Sequence, residues 1–351
     1  MKPITGKLWL SIIFCSLSPI APSNAEIVPD ATLPVNTTVI VNDNNNFIQG
    51  GTQAGNNLFH SFREFSLLKG ETAFFNNSTD VQNIFTRVTG GSISNIDGIV
   101  KAKGTANLFL LNPNGIVFGP NASLNIGGSF VATTASAVQF GNGTEFGVNV
   151  SQNTPLLIVN VPLGLQYGQS AGTIVNRSTD GLQVRSGNSL ILAGGDVRFD
   201  GGKIIAPGAR VELAAVAVGE TVGLNASGNN VSLNIPAQIA RADISLTNGA
   251  DVNVSAGGGG NIAVNARNLN LSEGSKLRAG IAEKLGAPDA LAGNIDINAT
   301  GAVSFDGVGN SDVPSGAYNL VTVGTVGEGG DISITAETLS LTNGAQVKAS
   351  T

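Results

Sequence analysis

Apolar residues in the second half of the chain come in short alternating bursts: Ile262 and Val264, Leu269 and Leu271, Ile332 and Ile334, Leu339 and Leu341, separated by Gly, Asn, Asp or Ser. A period of two puts successive side chains on opposite faces of a strand, and bursts this short hold too few residues for a helix. Strands punctuated every few residues suit a coil whose sides stack on the same sides of the next coil. The pattern therefore predicts an all-β chain, a right-handed parallel β-helix with an N-terminal β cap and short extra-helical excursions. At about 20 residues per coil, the size usual for such arrays, the chain would make on the order of 16 coils.

An internal repeat supports stacking. Gly259-Gly260-Asn261-Ile262-Ala263-Val264 returns as Gly329-Gly330-Asp331-Ile332-Ser333-Ile334, and the match runs on through Leu269-Asn270-Leu271 against Leu339-Ser340-Leu341. A partial copy lies at Gly293-Asn294-Ile295-Asp296-Ile297, and Ser245 to Ala250 returns as Ser340 to Ala345. Asn or Thr side chains near the corners can hydrogen-bond along such a stack. Excursions are expected at Ala279 to Ala292, which contains the helix-capable Ile281 to Leu285, and at Asn310 to Ala317. Phe residues crowd the region from Phe47 to Phe130, which predicts a fuller nucleating core, with the cap at about Glu26 to Asn57. The last repeat core ends near Thr351, so the array is expected to continue or to expose its last coil.

Composition narrows the class. With 42% hydrophobic and 12% charged residues the chain should fold, and 47 Gly among abundant Val, Ile, Asn and Thr exclude a helical bundle. A formal charge of -6 gives no global footprint for a polyanion and speaks against nucleic acid as a partner. At the N-terminus Lys2 and Lys7 precede an apolar stretch that closes in Ser23-Asn24-Ala25, the pattern of a secretory signal peptide over residues 1–25. Cleavage before Glu26 removes Cys15, Trp9 and two lysines, leaving a chain of net charge -8 that cannot form disulfides. Such a chain could cross a second membrane without a covalent loop in its way.

The most specific stretch lies between Asn83 and Gln139. It holds Asn83-Ile84-Phe85-Thr86-Arg87-Val88-Thr89-Gly90-Gly91, then Ser94 to Gly98, then Asn107 to Leu111 leading into Asn112-Pro113-Asn114-Gly115-Ile116. Pro113 pre-sets the first central position of a turn, Asn114 tolerates the second and Gly115 permits positive φ on exit, while the Asn112 side chain can close the turn. With Gly128-Ser129-Phe130-Val131-Ala132-Thr133-Thr134-Ala135 following, the segment resembles the N-terminal secretion domain of the filamentous haemagglutinin family, the TpsA-type exoproteins of bacterial two-partner secretion.

The resemblance implies three regions: the signal peptide, a secretion domain with cap and first coils over 26–150, and a β-helical, adhesin-like shaft over 151–351. It implies export through the periplasm and outer membrane to the cell surface or medium, by way of a TpsB-type transporter, an Omp85-like barrel with periplasmic POTRA domains. It also makes Asn112, Pro113, Asn114, Gly115 and Ile116, together with Arg87, Asn76 and Asn77, the candidate recognition motif. The Asn112 to Ile116 corner is either read by the partner or required for folding the first coils. Asn76-Asn77-Ser78-Thr79 stands where the family's other signature, Asn-Pro-Asn-Leu, is expected, and lacks its Pro and Leu.

The alternative is a β-helical polysaccharide-degrading enzyme. Asp196, Arg198 and Asp200 share one face of a strand, and two carboxylates over a groove are the minimum for glycoside hydrolysis. A solvated strand face bearing a charge pair is the commoner role of such a set. His60, the lone histidine, has no nucleophile or carboxylate at a persuasive spacing, and Gly257 to Gly260 reads as a coil corner, since no Lys-Ser/Thr or helix follows. Gly327 to Asp331 resembles calcium-binding β-roll repeats only faintly, because Asn261 and Asn294 stand at the positions equivalent to Asp331. No catalytic, cofactor or metal residues are therefore assigned. Surface ligands, by resemblance, would be host-cell, cell-surface or matrix glycans.

Overall fold

The computed structural model describes residues 26–149, 161–309 and 312–350. The signal peptide and the boundary at 150/151 lie outside the described residues. The chain winds as a parallel β-helix with three faces. The first face stacks nine parallel strands, from Asn57–Phe65 through Asn83–Val88, Asn107–Leu111, Phe130–Thr133, Ser189–Gly194, Arg210–Ala215, Asn261–Ala266 and Ile295–Ala299 to Ile332–Thr335. The second face runs in eight strands from Ser94–Ile96 to Thr338–Thr342. The third runs from Asn45–Gly50 to Ser123–Asn125, resumes at Lys203–Ile205 and ends at Gln346–Ser350. Buried alternate residues, such as Ile204, Val252, Leu277 and Ala317 on the third face, form the apolar columns of the interior.

Among the described residues nine rungs stand in place of the expected 16, because coils are longer and carry insertions. The register partners Leu58, Ile84, Leu108 and Phe130 are 26, 24 and 22 residues apart. After Thr133, and again after Ala215, the chain leaves the coil and builds an antiparallel sheet of Glu145–Gly147, Ala137–Phe140, Pro162–Gln166, Thr221–Ser227 and Asn230–Asn234, in that spatial order. This auxiliary sheet covers the outer side of the first face and encloses a second core. There Phe59, Phe85 and Phe109 stack at 5.3 and 4.6 Å between ring centres, and Phe140 and Phe146 close over them. The sequence carried a signal for it. Strands such as Asn83–Val88 and Ser189–Gly194 are buried at every position, and runs like Ser-Leu-Ile-Leu-Ala-Gly lack the alternation of a one-sided strand.

The edges of the auxiliary sheet are tied down. On one edge the Leu233 amide donates to the buried Glu212 carboxylate at 2.9 Å and the Val231 amide to Ser189 Oγ. On the other edge the Gly147 carbonyl accepts from Arg87. Edge groups satisfied in this way offer no template to a foreign strand.

The repeats occupy equivalent positions, but the two strongest copies are two coils apart, with the partial copy between them: Ile262 pairs with Ile295, and Ile295 with Ile332. Two polar and small-residue columns explain the Gly-Gly-Asn signature. Asn261 Oδ1 accepts the Asn294 amide and Asn294 Oδ1 the Asp331 amide, both at 2.9 Å. A β-carbon on Gly293 would sit 2.1 Å from the Gly260 carbonyl oxygen, and one on Gly330 would sit 2.2 Å from that of Gly293. At the start of the first face, Asn57, Asn83, Asn107 and Ser129 form a second ladder.

At the N-terminal end Ile27–Pro29 and Thr52–Ala54 run antiparallel to Asn57–Phe65, and Thr37–Asn42 forms a hairpin with Asn45–Gly50, which itself already opens the third face. The excursion after Ala279 is not helical. Lys276–Ile281 continues the coil, and after a turn Gly286–Leu291 pairs in parallel with Val326–Glu328 as a protruding ribbon, held by backbone bonds that outweigh local helix propensity. From Gly316 onward the other expected excursion is already coil strand.

Candidate functional site

The turn at Asn112 forms as its residues dictate and is buried. The Gly115 amide donates to the Asn112 carbonyl at 3.1 Å, the Asn114 amide donates to Asn112 Oδ1 at 3.0 Å, and Gly115 takes φ 126°. Asn112, wholly buried, donates from Nδ2 to the Ser92 carbonyl and to Ser94 Oγ at 3.0 and 2.9 Å, and Asn114 Nδ2 donates to the Gly90 carbonyl at 2.7 Å. Both amides thus fasten this corner to the preceding one. On the other side the Gly172 amide donates to the Pro113 carbonyl and the Ile116 amide to Thr173. The motif is a three-layer joint, with Asn114 only part-exposed and its other four residues buried.

Arg87 lies one strand away, in register with Leu111. Its guanidinium donates to Ser61 Oγ at 2.9 Å, Thr32 Oγ1 at 2.9 Å and the Gly147 carbonyl at 2.5 Å, and lies over the Phe146 ring. The same two hydroxyls donate onward to Asp30, which also accepts from Thr89 at 2.6 Å. Burial draws the Arg87 pKa down to about 10, opposed by the charge of Asp30. Burial pushes the Asp30 carboxyl up, but hydrogen bonds from Thr32, Thr89 and Ser61 outweigh it and hold it below its ordinary value. Cap, second rung and auxiliary sheet meet at this partly buried charge network, in which Arg87 is buried and Asp30 part-exposed. Asp30 was not singled out from sequence, and nothing in its local pattern marks it.

Asn76 and Asn77 sit at the opposite end of the first-face strands. Asn76 is exposed, whereas Asn77 is buried and grips Lys103 of the next coil, accepting its amide at 3.0 Å and donating to its carbonyl at 3.1 Å. An amide clamp thus holds the corner that lacks Pro and Leu.

His60 is a core residue. Its Nδ1 lies 3.1 Å from Thr37 Oγ1, its ring packs near Phe62 and Phe75, and burial lowers its pKa to about 3. The folded state therefore holds His60 neutral while the unfolded chain takes up a proton below its usual pKa of about 6.5. The stability this neutrality preserves is complete above that value and is lost as pH falls, by about 1.4 kcal/mol per unit down to the folded value. Urea unfolding midpoints measured from pH 7.5 to 4.5 should fall accordingly, and His60→Gln should flatten the slope. The depressed Asp30 acts in the same direction, in a more acid window.

Asp196 and Asp200 have partners already. Arg198 donates to Asp196 at 2.7 Å, and Asp200 accepts from Arg177 at 3.1 Å and from Asn248 at 2.6 Å. The Asn248 bond, then Arg177, hold Asp200 below the usual carboxylate range, a state suited to a fixed anion and opposite to that of a general acid. The Asp200 contacts lace neighbouring coils together, whereas Arg198 and Asp196 pair within one coil.

A three-faced β-helix with a sealed antiparallel flap and a buried N-terminal joint defines the class. The TPS secretion domain family model matches residues 25–264, more than half of the chain, and the protein belongs to that family. It therefore carries the secretion domain of a two-partner-secretion exoprotein, a family of secretion domains and not of enzymes. Among solved structures it is similar to the HMW1 secretion domain from Haemophilus influenzae, at 21% identity and TM-score 0.58, covering 93% of this chain and 84% of that one. A filamentous hemagglutinin secretion domain aligns at 16% identity and TM-score 0.44, covering 91% of this chain and 99% of that one. No curated protein matches.

Proposed function

We propose that the N-terminal coils act as an export label for an outer-membrane TpsB-type transporter with periplasmic POTRA domains, and that the later coils form an adhesin-like shaft displayed at the cell surface or released. The family match over residues 25–264 carries this reading. The chain reaches the periplasm behind its signal peptide, threads outward unfolded, and winds coil upon coil outside, each rung supplying the edge on which the next pairs. Completed rungs oppose back-sliding without nucleotide.

Burial of Asn112 supports the folding role of the motif over direct reading by the partner. In a strain carrying the transporter, Asn112→Ala and Asn114→Ala should reduce exported protein several-fold, and the exported fraction should be protease-sensitive over the first coils. Asn76→Ala, at an exposed position at the other end of the strands, should be exported as the parent is. Normal export of both Asn112→Ala and Asn114→Ala would rule the motif out.

A further inference from the structure

The outward side of the later third face is basic on an acidic protein. One row runs Asn253, Arg278, Tyr318 and Lys348 in register across successive rungs. The row beside it runs Lys203, Asp251 and Lys276. Four cations therefore face one carboxylate, and Arg278 engages that carboxylate through both Nε, at 2.9 Å, and Nη2. Among the described residues no carboxylate lies within ion-pair distance of Lys203, Lys276 or Lys348. Lys276 feels the crowding: burial lowers its pKa, Arg278 and Lys203 push the same way, and Asp251 opposes them.

Two hollows flank these rows. One, of about 380 Å³, is lined by Asn248, Glu273 and Lys276. The other, of about 240 Å³, is lined by Asn253, Ser255, Arg278, Glu283 and Tyr318, beneath the turn that leads into the protruding ribbon. Cations therefore recur on every second rung, at about twice the strand spacing of about 4.8 Å, close to the advance of two sugars in an extended polysaccharide. Carboxylates at the rims, Glu273 and Glu283, accept hydrogen bonds from sugar hydroxyls, and the concave walls do not match a flat membrane.

We propose that this face binds an acidic polysaccharide, a uronate- or sulfate-bearing chain laid along the stack. Its anionic groups meet Lys203, Lys276 and Lys348, a sugar ring packs on Tyr318, and its hydroxyls reach Asn253, Ser255 and the rim carboxylates. This deepens the surface-binding half of the proposed function and is independent of the export half.

The test uses the purified exported chain, titrated with polygalacturonate, dextran sulfate, neutral dextran and anionic phosphatidylglycerol vesicles over a range of salt. Binding to a soluble acidic polysaccharide and not to neutral dextran is expected, weakening as salt rises. The double variant Lys276→Gln/Lys348→Gln should bind about tenfold more weakly with a shallower salt dependence. Tyr318→Phe should retain binding that Tyr318→Ala loses. These exposed or part-exposed variants should be exported and melt as the parent does, so a failure here would leave the export reading standing. Absence of binding to both polyanions, undiminished binding by the double variant, or binding to vesicles alone would overturn the proposal.

Discussion

Replacing Arg87 by methionine should destabilise the N-terminal coils by about 3–5 kcal/mol, because the substitution keeps the stem and removes a buried, hydrogen-bonded charge from its network. Gly147 loses the donor that closes its edge of the auxiliary sheet, Asp30 loses its buried countercharge, and Phe146 loses the cation over its ring. Arg87→Lys should recover less than half of the loss, since one ammonium cannot reproduce a planar fork that reaches Ser61, Thr32 and Gly147 at once. Urea unfolding read by protease susceptibility of the first coils would measure it. A double-mutant cycle with Asp30→Asn should return a coupling energy of about 1–3 kcal/mol. An Arg87→Met chain within about 1 kcal/mol of the parent would mean that the flap is held by its Phe core alone.

Gly293→Ala should cost as much by a different route. Its β-carbon would stand 2.1 Å from the Gly260 oxygen and 2.5 Å from the carbonyl carbon, so backbone must move. That movement breaks the bond from the Gly293 amide to Gly259 and strains the amide ladder from Asn261 to Asp331. A loss of about 4 kcal/mol is expected, confined to the coils from Asn261 onward because each rung contacts only its neighbours. Gly91→Ala is the control. A β-carbon there meets nothing within 4 Å and Gly91 has ordinary φ, so the change should stay within about 0.5 kcal/mol. Hydrogen exchange resolved along the chain would separate the two outcomes. Equal protection in both variants would show that the glycine column is not under close contact.

Particular residues show how far sequence reading reached. The Asn112 to Ile116 turn and the Gly-Gly-Asn corners were readable because turn chemistry is local: φ limits and side-chain reach act over two to four residues. The bonds that make the turn a joint were not, since Asn112 reaches Ser92 and Pro113 receives Gly172. The coil number failed for the same reason. Bursts such as Ala137–Phe140 and Thr221–Ser227 look like rungs in their pattern yet fold back as antiparallel strands.

Periodicity and corner chemistry settled on their own that this chain is a stack of short strands, and its single cysteine that no disulfide closes within it. The tertiary structure alone decided which strands stack and which turn back to seal a second core, through contacts such as Arg87 with Gly147, 60 residues apart, and Asn107 with Gly228, 121 apart. A local pattern reports that a strand face must be covered. Which distant segment covers it depends on the register of whole coils, which no short window of sequence contains.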